Sequence, residues 1–312
     1  MQSTLRTLLA AVVSGGLFVA AMTLAPAATP FVLLVPLPGL IVAARGSLTE
    51  CGLWLFLATG AVTVALGSDA TVGFVLPFGV PTLAMAAALR RSWSFERTAL
   101  VGVTAWSMGA LTLAWLAYGN LADIVGAARQ QLTSSVDMVV ATYGSIGAPD
   151  SALTAMQAER ETLVSGLLEV LPALVVLTAA LIVIANLVLL RNWTEMSGQV
   201  NLRLWQAPDI LIWALIATGF GMFFPAPGVS AVARNLFLVV LGCYFCQGLA
   251  IVSYYLERFR LPRGIRIAGY VLIAVQHVVT AMVVALGVFD LWGNFRRLNA
   301  GPADVPFHSD SD

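Results

Sequence analysis

Eight stretches of this sequence run for 18 or more residues without an Asp, Glu or Arg: 7–44, 51–68, 70–89, 98–122, 170–190, 210–233, 235–256 and 267–289. An apolar stretch of roughly 18 residues or more is long enough to cross the hydrocarbon of a bilayer as an α-helix. A water-soluble chain is about a quarter charged, whereas here 59% of residues are hydrophobic and 10% are charged. These runs exclude a soluble enzyme, a disordered protein and a receptor with one anchor. They point to an all-α, polytopic transmembrane helical bundle whose first partner is the lipid bilayer.

The span count follows from breaks inside the runs. Pro26 and Pro30 divide 7–44 into a first span ending near Ala25 and a short segment, 29–44, that carries Pro36 and Pro38. At 1.5 Å per residue the second barely crosses a 30 Å core, so it is expected to be tilted, broken or re-entrant. Arg6 followed by an apolar stretch and Ala25-Pro26-Ala27 resembles a cleavable leader, but the chain beyond it is itself membrane-embedded, so an uncleaved first helix is expected. Further spans are expected near 51–67, 72–89, 99–118, 167–190, 209–224, 235–256 and 266–289, which makes eight or nine.

Arginine placement sets the orientation, because cytoplasmic loops are enriched in cations. With a cytoplasmic N-terminus and nine spans, eleven arginines lie inside. Five lie outside: Arg129, Arg160, Arg234, Arg296 and Arg297. The last two are the violation that this arrangement leaves open.

Four regions are expected: an N-terminal membrane bundle over 1–118, an extracytoplasmic amphipathic helical hairpin over 119–165, a C-terminal membrane bundle over 166–298, and a disordered polar tail over 299–312. In the hairpin, Leu121, Ile124, Val125, Ala128, Leu132, Val136, Val139, Val140 and Tyr143 share one helical stripe, with Asp123, Arg129, Gln130, Ser134 and Asp137 opposite.

Polar groups inside the apolar runs carry the functional signal, since each is costly in hydrocarbon. Gln247 lies midway along 235–256, and Gln276 and His277 lie midway along 266–289. If successive spans alternate in direction, the three share a depth. They then form either a contact site for a small solute or an interhelical hydrogen bond that fixes packing. Arg234 and Asp290 fall at one rim and form either a structural ion pair or a substrate clamp. Asn186 reads as a packing residue.

Chemistry is otherwise sparse. Cys243-x-x-Cys246 sits within an apolar run without further ligands, so it reads as packing and not as a metal or redox motif. No HExxH motif occurs, and sixteen arginines are present with no lysine, so there is no phosphate-binding loop of the Gly-rich, Lys-containing kind. No catalytic residue, cofactor or metal site is expected, a net charge of zero gives no nucleic-acid footprint, and the chain is not expected to be an enzyme. Ala11 and Gly15, within a series of small residues at four-residue spacing on the first span, allow a close helix approach. They are candidates for docking a membrane partner.

Several short patterns run through the chain: Leu37-Pro38 followed by Arg45-Gly46, Leu171-Pro172, Asn186 and Arg191, Arg234-Asn235, Gln247-Gly248-Leu249-Ala250, Leu286-Gly287-Val288-Phe289-Asp290 and Asn294-Phe295-Arg296. Together they resemble the YybS-like family of bacterial polytopic membrane proteins of unknown function, over about 7–298. That resemblance implies a multi-pass protein of the bacterial inner membrane and supplies no active-site residues. Residues 1–120 also look like the substrate-binding (S) subunits of energy-coupling-factor transporters. This second likeness implies that Ala11 and Gly15 dock a coupling subunit, although such subunits have about six spans, three fewer than expected here. The expected function is therefore transporter-like, with a small solute bound within the bundle. The alternative is a structural or assembly protein that docks partners through its first helix and outer hairpin.

Overall fold

The computed structural model describes residues 2–24, 29–193, 202–293, 295 and 296. The regular elements among those residues are all helices, with no strand. Two compact units divide the chain, Met1–Gln199 and Val200–Asp312.

The first unit opens with α1 (Gln2–Thr23). After it, a 3-10 turn over Thr29–Leu34 leads into α2 (Leu37–Arg45). The expected short second segment is thus broken at Pro36, which can start a helix but cannot continue one. Next come α3 (Leu48–Leu66), α4 (Ser68–Phe74) and α5 (Val80–Arg90). Ser47 caps α3 by accepting a hydrogen bond from the Glu50 N–H at 3.1 Å.

A π turn, Val75–Gly79, joins α4 to α5. Val80 N–H reaches back five residues to Val75 O, and Pro81 has no N–H to offer. The Leu76 carbonyl therefore lacks both donors that would normally cover it. Gly109, on α6 (Phe95–Tyr118), packs straight onto that carbonyl. A Cβ there would fall 2.7 Å from the Leu76 carbonyl carbon, so only glycine allows the approach.

The long α7 (Leu121–Ser145), the short α8 (Asp150–Ala158) and α9 (Arg160–Trp193) complete the unit. α7 pairs with the first turns of α9 through Arg129–Glu161 and through Arg160–Asp137, the latter at 2.6 and 2.7 Å. The hydrogen bonds and charge of Arg160 hold the Asp137 carboxyl below the usual aspartate range. α9 packs on α6 and α2. Asn186 donates from Nδ2 to Leu33 O and Ile182 O, both at 2.6 Å, and so ties α9 to the broken segment.

The second unit contains α10 (Ile210–Gly221), α11 (Pro227–Arg258), α12 (Arg263–Val275) and α13 (His277–Gly293). α10 and α11 are antiparallel, since Gly219 faces Phe237 and Gly221 faces Ala233.

Among the described residues, six helical stretches are long and apolar enough to cross a membrane: Ser3–Thr23, Leu48–Leu66, Ser68–Arg90, Phe95–Tyr118, Arg160–Arg191 and Pro227–Arg258. Only 11% to 50% of the residues in each stretch's most apolar window are buried. The outward faces are therefore apolar too, with Phe56, Val64, Leu100 and Leu116 all open, as a bilayer requires and water penalises. Two segments are shorter, Pro30–Arg45 and Ile210–Gly221, and the pair α12–α13 is bent by 100°.

Candidate functional site

The second unit is organised by a close crossing of α11 and α13. A Cβ on Gly248 would lie 2.8 Å from the Val283 carbonyl carbon, and one on Gly287 would lie 2.9 Å from that of Tyr244. Each glycine thus opens a notch for the other helix, the small-residue contact expected of membrane helices.

This crossing lets Gln247 reach Asp290. Gln247 Nε2 donates to Asp290 Oδ2 at 3.1 Å, and Gln247 Oε1 accepts from Ala207 N–H at 3.1 Å. Asp290 Oδ2 also accepts from Arg296 Nη2 at 2.8 Å, while Oδ1 accepts from Phe295 N–H at 2.9 Å. Arg296 Nη1 donates to Arg203 O at 2.7 Å and to Trp205 O at 3.0 Å. Gln247, Asp290 and Arg296 are 1%, 2% and 4% exposed. A buried ion pair is tolerable only when most of its remaining hydrogen-bonding capacity is met. Here both carboxylate oxygens and both terminal guanidinium nitrogens are engaged, and among the described residues only Arg296 Nε is buried without a partner in the pair. The network therefore fastens the end of α13 and the 203–207 strap to α11.

The same contacts fix the direction of α13. Tyr255 Oη donates to Phe295 O at 2.7 Å, so later residues of α11 meet later residues of α13. Were the two helices antiparallel through the glycine crossing, the end of α13 would lie about 25 Å from Tyr255. The helices run in the same sense, and α13 finishes at the end of α11 where α12 begins.

Several expectations change. Gln276 and His277 do not meet Gln247; they lie exposed at the α12–α13 break, and the partner of Gln247 is Asp290. The assumption that each apolar run alternates in direction fails at this pair. Asp290 pairs with Arg296 and not with Arg234, which lies about 20 Å along α11 from Gln247. Arg296, read as part of an outer tail, is a buried anchor. In the first unit, Ala11 is 1% exposed and a Cβ on Gly15 would meet Ala61 at 3.4 Å. The small face of α1 is therefore filled by α3, which removes Ala11 and Gly15 as open docking positions. Asn294, Arg297 and the tail over 299–312 lie outside the described residues.

The break itself has a simple construction. Gln276 is extended (φ −98°, ψ 105°) and its N–H closes α12 on Leu272 O. Thr280 Oγ1 donates to Ile273 O, a carbonyl freed by the break, while Gln276 O accepts from the Thr280 N–H at 3.0 Å. Among the described residues no group of three His, Cys, Asp or Glu could hold a metal.

Comparison with known families agrees that this is a membrane protein. A model of predicted membrane proteins, DUF2232, matches residues 12–291. The chain belongs to the DUF2232 family. The match spans both units, so the Gln247–Asp290 crossing and α1 beyond its first turns fall within the region common to DUF2232 proteins. No curated protein and no solved structure matches the chain.

Proposed function

We propose that this DUF2232 protein is a transporter-type membrane protein with a small polar solute contacted by Gln276 and His277. The supporting observation is the helix break at their position. Along α13 it stands about 12 Å from the glycine crossing, within the depth of the charge-free run 235–256. Broken helices at that depth are tolerated where their ends line a cavity or pack on protein, and transporter sites commonly use the termini of such half-helices. Two exposed polar side chains at the break are costly against lipid and suit a watered path.

In this reading eight segments cross and α12–α13 enters and leaves on one side. Arg203, Arg258, Arg260, Arg263, Arg266 and Arg296 then share that side, and Arg234 marks the other. The positive-inside rule makes the shared side cytoplasmic, so Arg296 no longer breaks the rule and the N-terminus is cytoplasmic. Docking of a coupling subunit through Ala11 and Gly15 is not part of the proposal.

The test is water access at the break. With Cys51, Cys243 and Cys246 replaced, Gln276→Cys in sealed vesicles should react with a water-soluble, charged thiol reagent. Protection equal to that of a lipid-facing control, Met282→Cys, would sink the transporter reading. A second reading, a scaffold for other proteins, is favoured by α7, which buries none of its 25 residues and leaves Met138, Val139 and Tyr143 open. A protein adduct crosslinked through Met138, with Gln276→Cys unreactive, would favour it.

A further inference from the structure

The turn between α11 and α12 carries four arginines in nine residues, Arg258, Arg260, Arg263 and Arg266. Arg258, Arg260 and Arg263 are exposed, and among the described residues no carboxylate pairs with them. Neighbouring acids are already engaged, Glu257 with Arg203 and Asp290 with Arg296. Arg266 is half-buried and spends its Nε on Leu261 O at 2.8 Å. The result is a compact cationic surface that no carboxylate among the described residues of the unit neutralises.

Two further observations say what this surface meets. Tyr254, Tyr255 and Phe259 form a ring cluster, with centroids 5.4 and 5.9 Å apart, on the turn just before the arginines. Aromatic side chains of this kind collect at the membrane–water boundary, which places the arginines at headgroup depth. Phe259 and Ile265, interleaved with them, are 67% and 53% exposed, as suits a surface that meets acyl chains as well as phosphates.

The backbone gives an independent reason to think the arginines are kept for their side chains. α11 ends in a left-handed cap: Leu261 N–H bonds to Leu256 O at 3.3 Å across Arg260, whose φ is +52°. Glycine is the residue that fits this position without strain, yet an arginine occupies it.

We infer that this turn is a binding surface for the phosphate headgroups of anionic phospholipids, with Arg258, Arg260 and Arg263 as its contacts. Basic clusters beside a membrane helix bind acidic headgroups through summed charge. The proposal does not depend on whether the protein transports a solute.

The experiment is native mass spectrometry of the full chain titrated with phosphatidylglycerol and, separately, with phosphatidylcholine. Wild type should retain phosphatidylglycerol preferentially. Arg260→Gly and Arg263→Gln should each weaken that binding about fivefold and leave phosphatidylcholine unchanged. Because glycine suits the left-handed cap, Arg260→Gly should melt at or above the wild-type temperature, which separates loss of binding from loss of fold. Equal retention of both lipids, unchanged binding in both variants, or a lowered melting temperature for Arg260→Gly would overturn the proposal. Displacement of the lipid by millimolar inorganic phosphate would assign the surface to free phosphate and overturn it as well.

Discussion

The sharpest test of the second unit is Gly248→Ala. The added methyl would overlap the Val283 carbonyl, whose carbon would lie at 2.8 Å, where non-bonded carbons settle at about 3.5–4.0 Å. α13 must therefore retreat by about 1 Å. Gln247 Nε2 and Asp290 Oδ2 are 3.1 Å apart, so the same retreat takes them past hydrogen-bonding range. Overpacking costs about 1–3 kcal/mol, and a buried polar group left without its partner costs a further 1–3 kcal/mol or so. The expected loss is about 2–6 kcal/mol. Gly287→Ala should behave alike, and the double variant should lose less than the sum, because both methyls push on one crossing. Gly269→Ala is the control: it lies within α12 with nothing inside 4 Å of a Cβ, so helix propensity makes it neutral to about 1 kcal/mol stabilising. Unfolding in mixed micelles by SDS titration, followed by tryptophan fluorescence, measures all four. If Gly248→Ala is as stable as Gly269→Ala, the close crossing and its coupling to the polar network are wrong.

Two further outcomes are expected. In a chain without Cys51, Cys243 and Cys246, cysteines at Gly264 and Phe295 should label from one side of the membrane and a cysteine at Phe224 from the other; Phe295 labelling together with Phe224 would refute the re-entrant path of α12–α13. The pairing of α7 with α9 should persist from neutral pH to about pH 5 and loosen below about pH 4. The Asp137 carboxyl is held below its ordinary range by Arg160, so its contribution is present above the unfolded value and lost as pH falls through the lowered one. Amide exchange of α7 follows this directly, and loosening between pH 7 and 5 would assign the contact to another group.

Much of the architecture was legible in the residues because charge is expensive in hydrocarbon. The gaps between arginines and acids mark the six long spans, and Pro36 and Pro77/Pro81 lie at the broken second segment and at the π turn. Gln247 and Asp290 stood out as polar exceptions, but their partners did not. The run Tyr270–Met282 contains neither Pro nor Gly, so nothing local announces that the helix stops at Gln276. Reading it as one continuous span sends α13 the wrong way and matches Gln247 with His277 in place of Asp290. The buried role of Arg296 depends on a strap, 203–207, that is remote in sequence. Likewise, the small residues of α1 read as a docking face because sequence does not show that α3 fills it.

The π turn at Val75–Gly79 also constrains how the sequence can change over generations. It holds one residue more than an ordinary helical turn. Deleting any one of its residues would let α4 and α5 merge into a regular helix, shortening the span by only about 1.5 Å. The turn already absorbs the rotation of its extra residue, so this deletion would leave the helix beyond close to its present phase, with Thr82, Met85 and Ala86 still buried, whereas a deletion elsewhere in α4 or α5 would turn everything beyond it by about 100°. This span can therefore lose a codon at the π turn, and nowhere else, without carrying its buried face out toward lipid. Because Pro81 has no N–H in either arrangement, the Leu76 carbonyl stays uncovered and Gly109 remains the residue that packs on it.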